Sequence, residues 1–153
     1  MDEVARQIIQ EQAREGGDAL PWGDRARYCK LMLVRSIASY EEDASREYPS
    51  KAVTFFDRGI PDTLCYARLI GLPEEEIAKA CQKYQYAHRV FLAPPWQEIC
   101  AVDAERKQSY DEAVRRYEVM VRVYEDCGYG VVEIPRVAAG ERADFILSMV
   151  GSE

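Results

Sequence analysis

Three short apolar runs constrain this chain more than anything else in it. They are "AVTFF" at 52–56, "RVFLAPP" beginning at Arg89, and "YGVVEIP" ending at Pro135. Each is β-branched or aromatic and lacks polar alternation, so each reads as a strand buried on both faces. Helical patterns separate them. Val4, Ile8, Ile9 and Ala13 form one stripe that Gly16–Gly17 ends. "DALP" is a loop, with Pro21 suited to a helix start. Ala26, Cys29, Leu33, Ile37 and Tyr40 then repeat at three and four as far as about Ser45. Pro61 opens a short helix that Gly71 closes, and Pro73 with "EEE" opens another. Ala113, Tyr117, Met120, Val121 and Tyr124 mark a long helix that ends at Gly128. A last helix is expected to turn Ala143, Ile146, Leu147 and Val150 inward. Strands alternating with helices predict an α/β domain with parallel strands at 52–56, 89–93 and 130–134. At 153 residues a single domain over 1–153 is expected.

The net charge of −7 argues against general nucleic-acid or anionic-membrane binding, since either needs a basic face. Five of the 20 basic residues are Lys, leaving 15 Arg. That excess suits bidentate phosphate contacts, or it reflects the codon usage of a GC-rich genome. The five cysteines are scattered, no CxxC occurs and there is one histidine, so zinc is disfavoured and free thiols in a reducing cytosol are expected. No apolar stretch approaches the ~18–20 residues of a membrane span, and the polar start "MDEVARQIIQEQ" does not read as a signal peptide. A cytoplasmic protein follows. His88 in "YAHRV" has no catalytic partner at a telling spacing and reads as structural. "EEE" at 74–76 reads as a solvated helix start.

In parallel sheets ligands bind at the carboxyl ends of strands. Asp57–Arg58, "APPW" and "PRV" occupy those places. A strand-end Asp can coordinate Mg2+ through water or accept a proton from an attacking hydroxyl. An adjacent Arg can clamp a phosphate. Alternatively Asp57 is a helix N-cap with a nearby charge partner.

Taken together, "FFDRGIPDTLCYARLIGLP", "RVFLAPPWQEI" and "DAERKQSYDEAVRRYEVMVRVYEDCGYGVVEIP" resemble the small AAA-domain P-loop ATPases that are similar to the ribosylnicotinamide kinase domain and other P-loop kinases. The resemblance runs from about Glu3 to Val150. It implies a three-layer αβα P-loop fold and an ATP-dependent phosphotransferase or nucleotidase acting on a small metabolite or nucleoside, with Mg2+ and ATP as cofactors. Carried over residue by residue, Asp57 lies beside Mg2+ and the transferred phosphoryl, and Arg58 reaches substrate or phosphate. The segment at about 97–110 resembles the lid, with Arg106 and Lys107 closing over the phosphates; the alternative for Arg106 is a solvated helix start paired with Asp103 or Glu105. Glu3 and Arg6 are substrate-side candidates, or an exposed first helical turn. Pro135 and Arg136 sit where the family's last strand meets the nucleotide base, or form a plain loop.

The sequence departs from the family in one respect. The family holds its phosphates with GxxxxGK[ST], and none of the nine glycines here is followed by Lys. The family's first strand and that loop precede the segment matching "EVAR". An N-terminally truncated sheet with little or no ATP binding is therefore expected. A start assigned too late, a fragment with a partner, and a non-catalytic α/β interaction domain completed by a second copy or a strand-donating partner are the alternatives.

Overall fold

The computed structural model describes residues 3–49, 52–100 and 110–150. They fall into two compact units, Met1–Gln85 and Tyr86–Glu153.

The first unit is helical. Helix α1 (Val4–Glu15) stops at Gly16, whose φ of 69° is the left-handed conformation a helix C-cap favours. Helix α2 (Arg25–Ala44) starts four residues later than Pro21 suggests. The physical reason is the cap: Asp24 Oδ1 accepts the Arg27 N–H at 2.9 Å, while Pro21 lies in the preceding turn. Helix α3 (Ile60–Ile70) and helix α4 (Glu75–Lys83) follow as the proline and glycine signals predict. Ile8 of α1 is fully buried against Tyr28 and Met32 of α2, with Val4, Ala5, Ile9, Leu31 and Tyr66 around them. Ala13, expected on the same stripe, is exposed. Burying Ile8 contributes about 2 kcal/mol. Arg68 of α3 pairs with Glu74 at 3.0 Å and so fixes the start of α4. At its other end, the Tyr84 hydroxyl donates to Glu41 of α2 at 2.9 Å, and the Tyr84 ring meets Tyr40 edge-on.

The second unit contains strand β1 (Arg89–Leu92), a single turn α5 (Gln97–Cys100), helix α6 (Tyr110–Asp126), strand β2 (Gly130–Glu133) and helix α7 (Ala139–Val150). The two strands pair in parallel, from Arg89 opposite Gly130 to Leu92 opposite Glu133. This agrees with the expected pairing at 89–93 and 130–134. Helix α6 lies against β2. Leu92, Tyr124 and Tyr129 form the local core, and the Tyr129 hydroxyl accepts the Tyr86 N–H at 3.1 Å.

Two expectations fail. The strand at 52–56 does not form: the stretch joins no ladder, and Val53 and Phe55 are 55% and 47% exposed while Thr54 and Phe56 are partly buried. The run therefore alternates rather than being buried on both faces. β-branched and aromatic residues permit a strand, but a ladder also needs an aligned neighbour. Helix α7 is likewise rotated from its predicted face. Ala143 and Leu147 point to solvent, whereas Arg142, Phe145, Ile146, Met149 and Val150 are partly covered. The larger Phe145 and Met149 share a stripe with Ile146 and Val150, and that stripe buries more apolar surface than one including Ala143.

Among the described residues, Cys29, Cys65 and Cys81 are buried free thiols and Cys127 is half-buried. Burial pushes the Cys29 thiol up from its ordinary pKa. No helix among them is long and apolar enough to cross a membrane.

Thr63 is fully buried in α3, and its hydroxyl has no hydrogen-bond partner among the described residues. A buried unpaired polar group costs about 1–3 kcal/mol. Thr63→Val keeps the branched shape and removes the hydroxyl, so it is expected to raise unfolding stability by about 1 kcal/mol. A higher urea midpoint at unchanged slope is the expected outcome; a lower midpoint would show that the hydroxyl is satisfied.

Candidate functional site

The start of α3 is built around one carboxylate. Gly59 is the N-cap in extended conformation, and Asp62 stands at the third helical position. Asp62 is 8% exposed, and its Oδ2 accepts the Gly59 N–H at 2.7 Å. This is the reach-back half of a capping box, and it satisfies a helix-start donor while placing negative charge at the positive end of the helix dipole. The other Asp62 oxygen faces Arg58, whose Nη1 lies at 3.3 Å.

Arg58 also has its Nε 3.7 Å from Glu3 Oε1. Glu3 is the residue before α1 and pairs in turn with Arg6 at 3.4 Å. A chain of alternating charge thus runs Arg6, Glu3, Arg58, Asp62 and joins the starts of α1 and α3. Arg58 has φ 81°, a conformation that a side-chain-bearing residue adopts at a cost of order 1 kcal/mol. Its guanidinium is half-exposed. Burial alone would pull its pKa down; Asp62, then Glu3 and Asp57, outweigh that and hold it above its ordinary range.

Tyr28 of α2 flanks this chain. It is 3% exposed and meets Tyr66 of α3 edge-on, with ring centroids 5.4 Å apart. Burial, then the neighbouring Tyr66 and Glu3, push its phenol up to about 12. A phenol in that state stays a neutral O–H at any ordinary pH.

The sequence-predicted residues divide as follows. Glu3, Arg6 and Arg58 come together, with Asp57 next to them on the bend entering α3 and exposed. The N-cap alternative for Asp57 does not hold, because Gly59 takes that position. The alternative reading of Glu3 and Arg6 holds in part: Arg6 is exposed in the first turn, but Glu3 is only 22% exposed. Pro135 and Arg136 follow β2 in the second unit. There the Tyr117 hydroxyl donates to Glu133 at 2.8 Å, and burial and then Glu133 raise the Tyr117 phenol to about 12, while Arg136 opposes the rise. Arg106, Lys107 and Asp103 lie outside the described residues. Of the expected lid at 97–110, α5 and the first residue of α6 are described.

Sequence reasoning missed Asp62 and Tyr28. Asp62 had a local signal, an acidic residue three positions after a turn glycine in "GIPD". Tyr28 had none, since its importance comes from α3 packing beside it.

Residues 1–142 match the sequence pattern of the AAA domain family. The chain belongs to that family. Its match supports nucleotide-binding, P-loop-type character for this AAA domain. No curated protein and no solved structure matches it.

Asp62→Ala removes both the cap and the nearest partner of Arg58. A loss of about 2 kcal/mol is expected, against a change within about 0.5 kcal/mol for Asp57→Ala. Equal losses in chemical denaturation would contradict the central place given to Asp62.

Proposed function

We propose that this AAA domain is of the P-loop kinase-like class, related to the ribosylnicotinamide kinase domain, and serves phosphoryl transfer from ATP to a small metabolite or nucleoside in the cytoplasm. The observation that carries this reading is the convergence of Glu3, Arg6 and Arg58, from distant parts of the sequence, at the start of α3 in a chain of this family.

In this reading Arg58 offers a fixed cation to the phosphoryl group as charge develops on it. Asp62 and Glu3 hold the guanidinium in place beforehand. The strained backbone at Arg58 aims the side chain, and the Asp62 cap secures that backbone. Asp57, exposed beside them, takes the proton of the acceptor hydroxyl or bears on the metal. Arg6 and Glu3 face the acceptor in this reading; the family resemblance also names Arg106 and Lys107 as candidates for the phosphates and Pro135 and Arg136 for the base.

Among the described residues no group of three or more His, Cys, Asp or Glu side chains could cage a metal. Mg2+ keeps several waters and takes one or two carboxylates together with substrate phosphates. Asp57 is the residue that would hold it. When bound, Mg2+ supplies neutralisation of the phosphate charge.

The 153 residues contain no GxxxxGK[ST], whose backbone N–H groups and Lys would cradle the β- and γ-phosphates. The chain as it stands is therefore expected to bind Mg-ATP no tighter than about 1 mM. Isothermal titration of the 153-residue chain checks this, and micromolar binding would overturn the requirement for that loop. In a form that carries the loop and turns over, Arg58→Gln is expected to lower kcat by about 100-fold or more. An unchanged kcat would remove Arg58 from the site.

A further inference from the structure

The first unit has a second feature, distinct from the Arg58–Asp62 cluster. An open groove of about 450 Å3 runs between α1 and α2, lined by Val4 and Gln7 on one side and Arg35, Ala38, Ser39, Glu42 and Arg46 on the other. Its volume is in the range of small-molecule sites. The lining carries two guanidinium groups, Arg46 paired with Glu42 and Arg35 paired with Glu11 beside the groove.

Arg35 is the best placed of these donors. It reaches across from α2 to pair with Glu11 of α1, and it is two-thirds buried. Arg35 lines the groove, and Glu11 does not. That pair engages Nη2 alone among the described residues, while a guanidinium carries five N–H donors. Little conformational freedom remains to be lost when a ligand arrives. Ser39 lies one turn along α2 on the same face, and Gln7 lies one turn before Glu11 on α1. Guanidinium, hydroxyl and carboxamide thereby border one space from two helices. Arg46, just past the end of α2, pairs with Glu42 and also neighbours Tyr48.

We propose that this groove is a binding site for a small metabolite bearing a carboxylate or phosphate group, held by Arg35, Ser39 and Gln7. A bidentate fork matches either anion. The overall negative charge of the chain repels long polyanions, which points to a small ligand. Val4, which lines the groove, directly follows Glu3, so an occupant would lie beside the first turn of α1. The inference does not depend on phosphoryl transfer taking place at Arg58.

Inorganic phosphate and acetate are the probes, each titrated into the full 153-residue chain while backbone amide resonances are followed, with sodium chloride at matched ionic strength as control. Expected are saturable shifts at residues 7, 35 and 39 with one or both anions, millimolar in strength, and a loss of at least about 10-fold in affinity for Arg35→Gln. Whichever anion binds more tightly identifies the ligand's head group. Arg58→Gln should leave the affinity unchanged. If Arg35→Gln proves unfolded by circular dichroism, Ser39→Ala, expected to weaken binding about 3-fold, takes its place. Shifts that chloride reproduces, shifts centred on residues 57–59 and abolished by Arg58→Gln, or no saturation by either probe would overturn the proposal.

Discussion

The buried carboxylate of Asp62 is the interaction on which the rest of the first unit depends. One oxygen closes the start of α3, and the other holds Arg58. Because Arg58 also faces Glu3, the same carboxylate indirectly sets where α1 begins relative to α3. A charge this well covered would be costly if left unpaired. Here a backbone N–H and a guanidinium satisfy it. The arrangement also confines a left-handed Arg58, which would otherwise relax to a commoner backbone conformation.

Much of the helical architecture was legible because its signals are local. Gly16 and Gly71 end helices in the left-handed conformation, and Pro61 begins one. The pairing of 89–92 with 130–133 was also legible, from two continuous apolar runs flanking a helix. What the sequence could not show was whether a third apolar run finds a neighbour. Val, Thr and Phe at 53–56 are suited to a sheet, yet pairing is a property of two segments, and one segment cannot reveal it. The face of α7 failed for a related reason: Ala143 and Leu147 scan as a helical stripe, but Phe145 and Met149 offer a larger one a short rotation away.

The candidate site was legible in its chemistry and not in its wiring. Charged residues at the mouth of an apolar run drew attention to Asp57 and Arg58, and resemblance to a family drew Glu3 and Arg6 into the same account. The ion pairs then follow a different logic from the sequence emphasis. Asp57, the most conspicuous carboxylate, is exposed, while Asp62 is the buried one. Burial is decided by the neighbours α1 and α2 bring, and Tyr28 shows how completely such information is absent from the local sequence.

The two units differ in how far apart in the chain their contacting elements lie. In the first, α1 meets α2, α2 meets α3 and α3 meets α4, each the next element along. In the second, the ladder joins residues 89–92 to 130–133 and must close the whole intervening stretch before its first bond forms. Loop closure taxes such distant pairings, and topologies rich in neighbouring contacts assemble faster. During synthesis the first unit also leaves the ribosome earlier. The helical half is thus the kinetic leader of this molecule, with Arg58 and its carboxylates in place before the parallel ladder closes; pulsed hydrogen exchange during refolding that protected β1 and β2 ahead of α1–α3 would reverse that order.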